Sequence, residues 1–432
     1  MVNPPSPGSL GCVSETEQVS DGPTGPTAAP RHHSALAWLW GPAFVASVAY
    51  VDPGNVAANL TSGARFGYKL VWVLVLANLI AMLVQYLSAK LGLVTGRSLP
   101  ELLGERMHHG PRLAFLAQAE IVAIATDLAE VVGGAIALQI LFGLPLIVGG
   151  VIISVVSMLL LGLQSCRGQR TFEQVIIGLL IVITVGFVAG LFVGDVHWGD
   201  AARGLLPGFA GRDSVLLASS MLGATVMPHA IYVHSALVRD RHGQASGSLL
   251  ERLLRATRWE VLTSLAVAGA VNLAMLILAA ANLGGVTDTD SIQGAHAAID
   301  ARLGPVIGVL FGIGLLASSL ASTSVGTYAG ATIMQGLLKV RRPSLPVLRI
   351  ITLAPALGLL ATGIDPTWAL VLSQVLLSLG IPFALIPLAV LTGQHRTLGS
   401  HANGRALAAV TWLAVALIVA LNVALVILTL TG

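Results

Sequence analysis

Only four of the chain's 20 acidic residues, Asp52, Glu120, Asp127 and Glu130, lie well inside long apolar stretches. An ionisable group at membrane depth costs at least about 2.5–3.5 kcal/mol, so each needs a reason to be there. Asp52 stands in the run Asp52-Pro53-Gly54-Asn55. Pro53 removes an amide donor and Gly54 admits unusual dihedrals, so a helix should break here. An aspartate N-cap with proline at the first helical position would account for those two residue types. It would not account for the position, with about a dozen apolar residues, roughly 18 Å of helix, on either side. A second break is expected within 223–229, where Met227-Pro228-His229 again puts a proline mid-stretch, beside a thioether and an imidazole.

Together the two breaks offer a defined set of donors. Asp52 supplies a hard anionic oxygen, Asn55 a neutral one, the unwound backbone carbonyls around Ala224, and Met227 a soft sulfur. Pure oxygen cages suit Mg²⁺ and Ca²⁺, whereas a thioether is tolerable to Mn²⁺, Fe²⁺ or Cd²⁺. One carboxylate with mixed oxygen and sulfur donors therefore points to a divalent transition metal. Glu120, Asp127 and Glu130, spaced by seven and three, fall near one helical face. Structural ion pairing with arginines is one explanation. The other is a proton route from the central site, joined by His229 and leaving past Arg241 and Arg349, since intramembrane acid and histidine chains typify proton relays.

The elements that would position these groups follow from composition. Of 432 residues 55% are hydrophobic and 10% charged, with a mean hydropathy of +0.85. Soluble domains average about 25% charged residues, so a water-soluble globule is excluded. Eleven apolar spans of bilayer length are expected near 38–63, 69–95, 113–140, 145–164, 174–194, 214–238, 260–281, 305–335, 349–363, 367–391 and 406–430. The breaks then fall in the first span of each of two five-span halves, about 38–194 and 214–391, with the eleventh span at 406–430. Five is odd, so the halves have opposite membrane orientation, and paired broken helices in inverted repeats mark a transporter's midplane site. Residues 1–34, rich in Pro, Ser, Thr and Gly, read as a disordered cytoplasmic tail, and no signal-peptide pattern appears.

Orientation follows from Lys and Arg. With the N-terminus inside and the C-terminus outside, the non-cytoplasmic side holds only Arg65, Lys69, Arg203, Arg212 and Arg302 of the 23. The expected location is the plasma membrane, with multiple passes. Cys12 and Cys166, the two cysteines, have no CxxC partner, so neither a redox motif nor a disulfide is expected. No nucleophile–base constellation or phosphate loop supports an enzyme. No cofactor is called for, the basic residues do not form a nucleic-acid patch, and a monomer is the simplest assembly. An organic-substrate transporter or a channel remains as a rival.

The motifs Asp52-Pro53-Gly54-Asn55 and Met227-Pro228-His229 closely resemble the signatures of the Nramp family of proton-coupled divalent-metal transporters. The resemblance extends through Gly41 to Tyr50, Gln85 to Gly92, Ala125 to Glu130, and Ser373-Gln374 with Pro382, covering nearly the whole chain beyond the tail. It implies an all-α, eleven-helix LeuT-type fold that imports Mn²⁺ or Fe²⁺, and also Cd²⁺, with protons by alternating access. The metal would be held by Asp52, Asn55, Met227 and the Ala224 carbonyl, with Gln374 joining in occluded states. Asp52, Glu130, Asp127 and His229 would carry the proton, with Glu120, Arg241 and Arg349 along the route. Asn78, Gln85, Thr126 and Asn272 would line or gate the external path, interhelical hydrogen bonding being the alternative for each. Ala230 departs from the asparagine usual after the second motif; the expected effect is on local hydration or gating rather than on the choice of metal.

Overall fold

In the computed structural model, residues 41–430 are described except 168, 287, 288, 290, 339–344 and 363–365. The expected N-terminal tail and Cys12 lie outside the described residues. Among those described, the chain is helix and loop without strand. The first span is two half-helices, α1 (Pro42–Val48) and α2 (Pro53–Phe66), and α3 (Val71–Thr95) follows. A short α4 (Leu99–Arg106) leads to α5 (His109–Phe142), α6 (Leu146–Arg167), α7 (Gln169–Val188) and a loop helix α8 (Trp198–Arg203). The sixth span is again divided, into α9 (Arg212–Thr225) and α10 (Pro228–His242). Then come α11 (Gly247–Asn282), α12 (Ile292–Leu303), α13 (Pro305–Leu338), α14 (Leu345–Thr362), α15 (Pro366–Gly393), α16 (His395–Leu398) and α17 (Arg405–Leu430).

Each of the eleven expected spans coincides with one helix or, twice, with a pair of half-helices. Among the described residues eight stretches are long and apolar enough to cross a bilayer, and shorter apolar helices cover Pro42–Val51, Leu146–Leu160 and Ile350–Thr362. Exposed side chains such as Leu79, Val155, Ile181, Val185, Leu413 and Ile427 give the outer surface an apolar character suited to lipid. One boundary differs markedly from expectation. The seventh span begins at Gly247 rather than near 260, because the Arg252, Arg255 and Arg258 segment continues the helix instead of forming a loop. The connections also carry helices of their own, α4 and α12, which are too short or too polar to register as spans.

Packing divides the helices into two groups. In one, α11 lies along α2 and α3, and α10 along α3; in the other, α13 lies along α5 and α7, with α14 and α15 also against α5. The half-helices α1 and α2 touch both groups, which is what places their break at the centre. Small residues allow the close approaches. A Cβ on Gly133 would fall 2.2 Å from Pro53, and one on Gly63 would fall 2.3 Å from the Leu276 carbonyl oxygen.

Candidate functional site

At the first break the chain leaves helical geometry at Asp52 (φ −77°, ψ 166°), whose carboxylate caps α2. Its Oδ1 accepts the Asn55 backbone N–H at 2.8 Å and the Asn55 side-chain amide at 2.7 Å. At the second break Val226 and Met227 depart from the helix (ψ 76° and 126°), and Pro228 starts α10. Proline at 228 cannot donate to the carbonyl four residues earlier, so Ala224 keeps a free oxygen. Asn55 reaches across and donates to that oxygen at 2.9 Å. One amide therefore ties the first break to the second, while the Thr225 hydroxyl approaches Asn55 Oδ1 at 3.5 Å.

Two further groups face this centre without partners among the described residues. Asp52 Oδ2 is buried with no hydrogen bond, and so are both amide atoms of Gln374. A Cβ on Gly54 would lie 1.6 Å from Gln374 Nε2 and 3.1 Å from Asp52 Oδ2. Glycine is thus what lets α15 bring an amide over the start of α2, next to the unpaired carboxylate oxygen. Met227 is completely buried. An acid, two amides and a backbone carbonyl freed by proline come together where two helices are interrupted, and Met227 stands at the second interruption.

His229, in the first turn of α10, has Nδ1 3.5 Å from the Thr126 hydroxyl, and its Nε2 is buried without a partner among the described residues. Thr126 and His229 border a small internal cavity shared with Gln118 and Tyr232. Asp127 and Glu130 are buried on α5, with the Glu130 carboxylate facing Gly326 of α13. Glu120 is half-buried, with Oε1 enclosed and lacking a hydrogen bond among the described residues. Arg241 pairs with Glu173 at 2.8 Å and lies over Gly41, where Glu260 accepts the Ala43 N–H at 3.1 Å. The side chains of Arg349 and Cys166 lie outside the described residues.

A family model described as "Natural resistance-associated macrophage protein-like", the Nramp family, matches residues 43–428. The chain belongs to the Nramp family. The Mycobacterium tuberculosis protein named divalent metal cation transporter MntH is 59% identical over 396 residues, 91% of this chain and 92% of its own length. A solved structure of an Eremococcus coleocola manganese transporter superposes with a TM-score of 0.82 at 31% identity, covering 91% of this chain and 87% of that one. MhsT, solved with L-phenylalanine, shares the fold at 14% identity and a TM-score of 0.62, covering 92% and 98%.

Within this Nramp protein the four residues expected along the external path have distinct placements. Asn78 is half-buried and packs over Gly269 of α11. Asn272 receives a hydrogen bond from Asn59 at 3.0 Å and donates to the Tyr50 carbonyl at 2.7 Å. Thr126 is beside His229. Gln85 makes interhelical hydrogen bonds: it donates to the Tyr50 hydroxyl at 2.6 Å and meets His234 Nδ1 at 2.8 Å. Tyr50 belongs to the N-terminal half of the first span and His234 to the C-terminal half of the sixth. Gln85 therefore bridges those two half-spans. Sequence reading missed Tyr50, Glu173, His234 and Glu260. His234 and Glu260 were legible as polar residues in apolar surroundings, whereas the pairing of Glu173 with Arg241 leaves no local signal.

Proposed function

We propose that this protein imports divalent transition-metal ions, Mn²⁺ or Fe²⁺ with Cd²⁺ as a surrogate, coupled to protons by alternating access. The observation that carries the reading is the junction of the two breaks, where Asn55 links the Asp52 carboxylate to the Ala224 carbonyl while Asp52 Oδ2 and the Gln374 amide point inward unpaired. Asp52, Asn55, Met227, the Ala224 carbonyl and Gln374 would hold the ion. Carboxylate and amide oxygens neutralise and solvate it, and the thioether discriminates against Mg²⁺ and Ca²⁺. The names of the relatives, a divalent metal cation transporter and a manganese transporter, agree with this chemistry.

Proton coupling follows from the same carboxylate, because a ligand cannot hold a proton and a metal on the same oxygen. Arrival of a cation at Asp52 favours release of its proton toward His229 and the Glu130, Asp127 and Glu120 face of α5, with Arg241 and Arg349 at the cytoplasmic end. The Gln85, Tyr50 and His234 cluster closes the route below the ion. Ala230, completely buried, leaves the ion's surroundings less polar than an asparagine would. The plasma membrane is the proposed location, with the N-terminus inside.

Calorimetry of the purified protein with Cd²⁺ and Mn²⁺ tests the site. A single metal per chain is expected, abolished in Asp52→Ala. Binding retained in that variant would refute the assignment. An organic substrate displacing no metal but shifting thermal stability would instead favour the organic-transporter reading.

A further inference from the structure

Breaking a helix strands carbonyls, and their partners here are specific. Asn55 N–H, which an unbroken helix would direct to the Val51 carbonyl, turns to Asp52 Oδ1 instead. Val51 O accepts the Ser318 hydroxyl of α13, and one turn along the same helix Ser322 donates to Val48 O at 3.4 Å. Both serines are completely buried. The next serine, Ser319, donates at 2.5 Å to the carbonyl of Glu130 on α5, where Gly134 makes room for it. Thus α13 is fastened on one side to α5 and on the other to the end of the first half-span.

We infer that Ser318 and Ser322 are positioning residues of the transport cycle, a two-hydroxyl zipper that holds the N-terminal half of the first span against α13 and sets how often it departs. This rests on the alternating-access reading, in which that half-span moves. The chemistry suits a reversible fastening. Ser324, Thr323 and Thr327 of the same helix donate to carbonyls four residues back. Ser318 and Ser322 have the same alternative, the carbonyls of Gly314 and Ser318, when the half-span leaves. The hydroxyls then lose nothing, whereas the Val51 carbonyl, which has no helical partner, needs water, and the Val48 carbonyl keeps only the bond of its own turn. Opening is therefore favourable only when it admits water to that side.

The test needs no metal and no proton gradient. In a background with Cys12→Ser and Cys166→Ser, a reporter Ala230→Cys, buried in α10, is labelled with a membrane-impermeant maleimide from the cytoplasmic face. Ser318→Ala with Ser322→Ala should speed labelling on the order of tenfold, the equivalent of two hydrogen bonds of ordinary net strength. Ser324→Ala should leave the rate unchanged. Thermal unfolding checks that the variants fold, and Ser322→Ala alone, which loses the longer bond, should give a smaller rise if the double variant does not. Equal rates in parent and serine variants, or an equal rise in Ser324→Ala, overturn the zipper. A reporter that no background exposes overturns the moving half-span and the zipper with it.

Discussion

Asn55 makes three contacts that no other side chain at the centre could combine: an amide donated to Asp52, the same amide donated to Ala224, and an oxygen left near Thr225. Aspartate there could not donate, and the two breaks would lose their bridge. On the proposed reading Met227 contributes differently, since its sulfur would choose among ions rather than build the frame. Met227→Leu, which nearly conserves volume, should weaken Cd²⁺ binding at least about tenfold and let Ca²⁺ compete with Mn²⁺ uptake. Competition assays in proteoliposomes check this, and unaltered exclusion of Ca²⁺ would show that the thioether does not select. The residues so far were legible because proline, glycine and an acid inside an apolar run violate the local pattern. Gln374 was legible only through the family resemblance. On α15 it is one more polar residue in a helix, and its place beside Asp52 comes from Gly54, hundreds of residues away, lacking a side chain.

At the scale of elements, the breaks persist because neighbouring helices over-determine them. Pro53 packs against α5 where Gly133 has no Cβ, and a methyl there would fall 2.2 Å from the ring. Neither a proline ring nor a helix backbone yields easily, so Gly133→Ala should destabilise the protein by about 1–3 kcal/mol and reduce uptake with it. Gly178→Ala in α7, which meets nothing within 4 Å, serves as the comparison. Melting curves in detergent read the difference, and equal stability of the two variants would mean that α5 does not hold the break. The sequence marked where helices stop, through hydropathy and proline. It could not mark what they stop against, because Ser318 and Val51, 267 residues apart, share no periodic signal. The start of α11 was misplaced for a related reason: arginines signal the end of lipid, not the end of helix.

Across the whole molecule the coupling becomes a count of charges. On the proposed reading an ion held at Asp52 crosses the membrane potential, worth about 2.3 kcal/mol per charge per 100 mV. A divalent cation alone moves two charges, and with one proton it moves three. At tenfold excess of metal inside and no pH gradient, net flux should therefore reverse near about 30 mV for the metal alone and near about 20 mV for metal with one proton, inside negative. The second value is expected for this protein. Asp127→Asn with Glu130→Gln should shift reversal toward the first, because amides on α5 can hydrogen bond but cannot take up the proton that Asp52 releases. His229 remains in that variant, so the shift reports the acidic face rather than the centre, and Cd²⁺ affinity should not change. Reversal staying near about 20 mV would mean that the proton leaves by another path and that the buried carboxylates of α5 serve packing and ion pairing alone.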